Sequence, residues 1–139
     1  DAVLMCAAVA DVRRTSPTGV GKLPKHQLIG SLEAGWEPVP DLLQSLVSRR
    51  PAGQSVLGFA ALTGTDEQLL ELGRRKFQAK GCDLLMVNPV DRIGQGLDSD
   101  QNAGWLLGPG DRHQVCPLED KLVLSHRLLD RLSEIKQPS

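Results

Sequence analysis

The sequence predicts an open α/β domain with a mostly parallel, Rossmann-like sheet, a flap and a C-terminal hairpin. Three observations carry this. Near-continuous apolar runs occupy residues 2–10, 55–62 and 83–88, as expected of strands covered on both faces of a parallel sheet. Patterns with helical spacing alternate with those runs, and strand–helix alternation is the mark of a parallel sheet. Each run also ends in small or polar residues, Ala7-Ala-Val-Ala-Asp11, Ala60-Ala61 and Asn88, at the end where open α/β sheets bind ligands.

The first run is expected to be a central buried strand. Its small closing side chains let a planar ligand approach the backbone, and Asp11 supplies an acceptor at the mouth. Residues 12–38, with three prolines and four glycines, read as an irregular flap. Leu28-Ile-Gly-Ser-Leu-Glu33 is the strand expected within it. Pro40 suits the first position of a helix whose inner face is Leu42, Leu43, Leu46 and Val47. Arg49, Arg50, Pro51 and Gly53 end that helix.

Ser55–Leu62 is the second buried strand. Thr65 or Asp66 caps the next helix, which runs to Lys80 with Leu69, Leu70, Gly73 and Phe77 inward, and Gly81 stops it. Asp83–Asn88 is the third buried strand. A polar loop to Gln101 precedes a hairpin of 103–107 and 113–116, turned at Gly108-Pro-Gly-Asp111. A last helix, Leu118–Ile135, is expected to bury Leu118, Leu122, Leu129 and Leu132.

Composition narrows the function. With 139 residues and 40% hydrophobic content, the chain can bury a core and is not a disordered segment. Sixteen basic against seventeen acidic residues give a net charge of −1, which excludes a strongly basic nucleic-acid binder. Two Phe, two Trp and no Tyr offer no stacking platform for single strands. No run reaches the roughly 20 apolar residues of a membrane span. The three cysteines, Cys6, Cys82 and Cys116, are widely spaced and odd in number, and read as reduced thiols of a cytoplasmic protein without a zinc site.

Lys76 and Lys80 lie four apart, so their ammonium groups project from one helix face beside Arg74 and Arg75. Lys22 in the flap is a third candidate cation for the same anion. Spacing alone leaves a solvated helix face as the simpler reading of the pair. Gly19-Val-Gly-Lys22 is not a Walker loop: the earlier Gly is missing, and Leu23 stands where Ser or Thr should bind Mg²⁺. Neither a dinucleotide fingerprint nor a nucleophile elbow is present. His26, His113 and His126 lack an obvious nucleophile partner. Phe59, near a strand end, can stack on a base or fill the core.

Together these segments resemble phosphopantothenate–cysteine ligase, the C-terminal synthetase domain of the bacterial coenzyme A biosynthesis bifunctional flavoprotein. Ala7–Asp11 is similar to that family's AAVAD, Gly21-Lys-Leu-Pro-Lys25 to its KIKK flap, and Val39-Pro-Asp-Leu-Leu43 to NPDI. Gly58-Phe-Ala-Ala61 is similar to GFAAE, Asp83–Asn88 to DLIVAN, and Gln95–Asn102 to QGFxSDxN. These short elements follow one another in the family's order. Three positions depart from the pattern: Leu62 stands for Glu, Val39 for Asn and Pro89 for Asp.

The resemblance implies CTP-dependent joining of 4′-phosphopantothenate to cysteine through an acyl-cytidylate, with Mg²⁺ assisting. It implies CTP contacts at Met5, Cys6, Ala7, Asp11, Lys22, Pro40, Asp41, Leu42, Leu43, Phe59, Lys76 and Lys80. Lys22 is also the implied catalytic residue, tied to turnover of the activated intermediate. A homodimer through the flap, at about residues 22–34, is implied as well. The family's glycine-rich opening is expected before residue 1, together with an FMN-dependent decarboxylase domain in the fused form. On that expectation the chain is the C-terminal part of one ligase domain, inactive alone. The competing expectations are a nicotinamide-dependent reductase and a non-catalytic interaction domain of the same fold, the latter supported by the three departures.

Overall fold

Among the described residues five strands form one sheet, covered by three helices. The computed structural model describes residues 1–7, 10–14, 35–96, 98–110 and 112–135. The chain divides into two compact units, one of Asp1–Cys6 with Leu43–Ser139 and the other of Ala7–Leu42.

In the larger unit the strands are β1 (Ala2–Met5), β4 (Ser55–Leu62), β5 (Leu84–Pro89), β6 (Gln101–Leu107) and β7 (His113–Asp120). They lie side by side in the order β1-β4-β5-β6-β7. β1, β4 and β5 are parallel, with Met5 beside Gly58 and Ala61 beside Asn88; β6 and β7 run antiparallel. The mostly parallel α/β sheet with a terminal hairpin is the architecture expected from the alternation of patterns. Pairing of β5 with β6 runs from Leu85 to Val87, so Pro89, which has no amide hydrogen, lies beyond the paired segment. Gly104 marks the tightest seam. A Cβ there would stand 1.9 Å from the Val87 carbonyl oxygen, at φ +153°.

β1 is shorter than the apolar run that encodes it. It occupies an edge of the sheet, stops at Met5, and leaves Leu4 36% exposed. Among the described residues only β4 pairs with it.

α1 (Leu42–Arg49) and α2 (Asp66–Lys80) share one face of the sheet. Leu43, Leu46, Val47, Leu69, Leu70 and Phe77 pack there with Val56, Leu85, Val87 and Trp105. Two glycines allow the close fit. A Cβ on Gly58 would meet Leu43 Cδ2 at 2.6 Å, and one on Gly73 would meet Val87 Cγ2 at 2.6 Å. α2 has the expected ends. Thr65 accepts from Gln68 N and the Gln68 side chain accepts from Thr65 N, a reciprocal capping box. Gly81 closes the helix in the left-handed region at φ 67°. The turn after α1 is tied down by Asp83, whose carboxylate accepts from Val56 N (2.7 Å) and pairs with Arg50.

α3 (Lys121–Ile135) covers the opposite face. Its buried residues are Leu124, Leu128 and Leu132, an i, i+4, i+8 stripe against Leu57, Met86, Leu106 and Cys116. This corrects the expected face. Leu122 and Leu129 are exposed, and Leu118 belongs to β7, which runs on to Asp120. Two leucine stripes compete on this helix, and the sheet, being on one side, selects one. Asp120 then caps α3 by accepting from Leu122 N at 2.7 Å.

The smaller unit contains β2 (Val12–Arg14) and β3 (Trp36–Pro38), an antiparallel pair. Val39 N donates to the Asp11 carbonyl at 2.9 Å, and Arg13 pairs with Glu37 at 2.6 Å. The expected strand at 28–33 lies outside the described residues.

Candidate functional site

Of the implied contact residues in the larger unit, Met5 and Leu43 meet at Gly58. Met5 ends β1 beside Gly58, and Cys6 follows it, exposed. Leu43, in the first turn of α1, fills the space above Gly58 that a side chain would need. Gln44 Nε2 in that turn donates to Ala79 O in the last turn of α2 at 3.4 Å, between the positions of Lys76 and Lys80. Lys76 is exposed and Lys80 half-buried. The end of β1, the start of α1 and the cationic end of α2 are therefore linked on one face of the sheet.

Phe59 does not join them. Strand alternation turns it to the opposite face, where it is half-buried against the α3 cluster. Of the residues in the smaller unit, Asp11 is exposed, while Pro40, Asp41 and Leu42 lead straight into Leu43. Ala7 follows Cys6 and is exposed. Lys22 lies outside the described residues, as does the whole segment expected to mediate dimerisation.

Two buried thiols, Cys82 on this face and Cys116 on the α3 side, are disfavoured as thiolates. Burial pushes both Cys82 and Cys116 above the ordinary thiol range, which favours the neutral form. Cys82 lies in the α1/α2 cluster and interacts with the Gly58 backbone.

Asn88 is a residue that sequence reasoning passed over as part of a motif. It is 8% exposed near the end of β5, and its buried Nδ2 has no hydrogen-bond partner. It shares the α3-side face of the sheet with Leu84 and Met86. A polar residue closing an apolar run is visible in sequence; its lack of an acceptor is not. No group of three or more His, Cys, Asp or Glu side chains able to hold a metal ion occurs among the described residues. No described helix is long and apolar enough to cross a membrane.

Comparison with known proteins gives the family. The profile of the DFP family, the DNA/pantothenate metabolism flavoprotein C-terminal domain, matches residues 1–135. The chain belongs to this family. It is 32% identical over 146 residues to the coenzyme A biosynthesis bifunctional protein CoaBC of Mycobacterium tuberculosis H37Rv, covering 95% of this chain and 32% of the relative. It is 35% identical over 128 residues to the protein of the same name from Escherichia coli K12, covering 91% and 30%. The chain thus spans about a third of the length of these curated relatives.

Among solved structures, it is similar to the C-terminal domain of the CoaBC bifunctional protein, with a TM-score of 0.65 at 24% identity over 97% of this chain and 56% of that one. It is also similar to the DNA/pantothenate metabolism flavoprotein of Streptococcus pneumoniae, with a TM-score of 0.64 at 17% identity over 94% and 58%. At these identities the structures speak for the DFP-family fold. The sequence relatives support a role in coenzyme A biosynthesis.

Proposed function

We propose that this chain supplies the nucleotide-binding part of a phosphopantothenate–cysteine ligase that consumes CTP. The observation that carries the reading is the linkage around Gly58, which joins the end of β1, the first turn of α1 and the lysine-bearing last turn of α2. It supports one ligand lying across all three.

In the proposed reaction the phosphopantothenate carboxylate attacks the α-phosphate of CTP, giving an acyl-cytidylate and pyrophosphate. The cysteine amine then displaces CMP. Lys76, Lys80 and the flap Lys22 offset the triphosphate charge, and backbone groups of Met5, Cys6 and Ala7 line the base. Cations aimed at charge that develops in the transition state act on rate more than on binding. Asn88 takes no part in this reading, because it faces the α3 side of the sheet with Leu84, Met86 and Phe59.

Mg²⁺ is implied by the reaction. It would ride on the nucleotide's own phosphate oxygens, which suit a hard cation. Bound there, Mg²⁺ would neutralise phosphate charge. FMN belongs to the proposed decarboxylase domain and has no role in this chain. A homodimer through the flap completes the proposal, in a cytoplasmic enzyme.

Pyrophosphate release from CTP, phosphopantothenate and cysteine tests the reading. The full-length protein should turn over and the 139-residue chain should not. Lys22→Gln should lower the full-length rate by about 10²–10³-fold, the usual size of a lost transition-state contact. Full-length protein without cysteine-dependent pyrophosphate release would refute the reading. Light scattering tests the dimer, which Ile29→Lys should dissociate.

A further inference from the structure

The loop that follows Asn88 is held by contacts that the proposed reaction does not use, and Arg92 is their centre. Val90 N donates to Leu62 O at 3.0 Å, which continues the β4–β5 ladder by one bond. Asp91 Oδ2 accepts from Gly64 N at 3.0 Å, just before the N-cap of α2. The Arg92 guanidinium pairs with Asp66 in the first turn of α2 and lies 5.6 Å from the ring centroid of Trp105 in β6. Trp105 is itself buried in the α1/α2 cluster. Farther along, Gln95 Nε2 returns to Pro89 O at 3.2 Å, and Ser99 Oγ donates to Gly94 O at 2.8 Å.

One side chain thus ties the exit of β5 to both α2 and β6. We propose that Arg92 is a positioning residue for the candidate site, fixing the path by which the chain leaves Asn88. The proposal rests on the ligase reading, because it assigns the strand ends to the ligand. Arg92 acts through geometry and touches no ligand. The physical case is that a ligand contact near a strand end is useful only if the following loop holds one conformation, and loops are otherwise the mobile part of such folds. An ion pair combined with a stack over a buried ring restrains the guanidinium in two directions.

The test compares full-length Arg92→Ala, Arg92→Lys and Arg131→Ala. Arg131 pairs with Glu134 on α3 at similar exposure, away from the loop, and serves as the control for loss of one charge. Arg92→Ala should raise KM for CTP about threefold to tenfold, the combined size of an exposed ion pair and a stacking contact, with kcat within about twofold. It should also speed amide exchange in the loop from residue 93 to Gln101. Arg92→Lys, which keeps the charge toward Asp66, should restore most of the KM. Arg131→Ala should match the wild type.

Unchanged KM in Arg92→Ala overturns the proposal, and so does an equal change in Arg131→Ala. Slow exchange preserved in the Arg92→Ala loop overturns it as well, whatever the kinetics. A wild type that neither turns over nor binds CTP removes the ligase reading, and this assignment with it.

Discussion

The two faces of the sheet are packed on opposite principles. On the α1/α2 side, fit depends on absent side chains: Leu43 drops onto Gly58, and Gly73 lies against Val87 and Leu107. On the α3 side, fit depends on added volume, with Leu124, Leu128 and Leu132 filling the space over Leu57, Met86 and Leu106. The difference matters for function. Close approach through glycine brings the first turn of α1 and the last turn of α2 near the end of β1, and the implied phosphate lysines sit on that side. The leucine stripe builds a thick core whose helix carries none of the implied contacts.

The largest effect expected from this contrast is on the α3 face. Leu128→Ala should cost about 2–5 kcal/mol, because it removes a buried side chain and leaves a cavity. Leu129→Ala, one residue along and exposed, should change stability by less than about 0.5 kcal/mol. Urea unfolding of the pair checks both, and equal losses would return the helix to its alternative stripe.

Gly73→Ala probes the other face in the opposite sense. Its Cβ would meet Val87 Cγ2 at 2.6 Å and Leu107 Cδ1 at 3.1 Å. Overpacking of this kind costs about 1–3 kcal/mol, while replacing a mid-helix glycine regains about 1 kcal/mol of helix propensity. A net loss of about 1 kcal/mol is expected in thermal unfolding. A stabilised variant would show that the close approach is incidental.

The smallest effect concerns how α3 is held to the hairpin. Arg127 grips Glu119 with two bonds of 2.8 and 2.9 Å, and this hydrogen bonding holds the Glu119 carboxyl below its ordinary range. Because the folded value is the lower one, the unfolded chain binds the proton first as pH falls. The contribution is therefore complete above the ordinary glutamate value of about 4.3 and is lost as pH drops through the depressed folded value. Glu119→Gln should flatten that part of the acid limb in urea midpoints recorded from neutral pH downward. An unchanged slope would assign the acid sensitivity elsewhere.

Much of the molecule is legible in its sequence. β4, β5, α2 with both its caps, and the hairpin turn follow from apolar runs, helical spacing, Thr65 and Gly81. The order of short motifs pointed to the family. These features are local: capping, turn chemistry and strand-forming runs act over a few residues, so sequence determines them alone.

What tertiary structure decided is which side of each element meets what. Helix α3 carries two leucine stripes, and only docking on the sheet buried Leu124, Leu128 and Leu132 rather than Leu122 and Leu129. The apolar run from Ala2 to Ala10 reads as one strand, and only the fold ends β1 at Met5. Phe59 and Gly58 are adjacent in sequence yet face opposite layers, which separates one implied contact from the rest. The unpaired amide of Asn88 and the latch at Arg92 join residues that are distant along the chain. Hydrogen-bond satisfaction and ion pairing are properties of the assembled fold, and no local pattern encodes them.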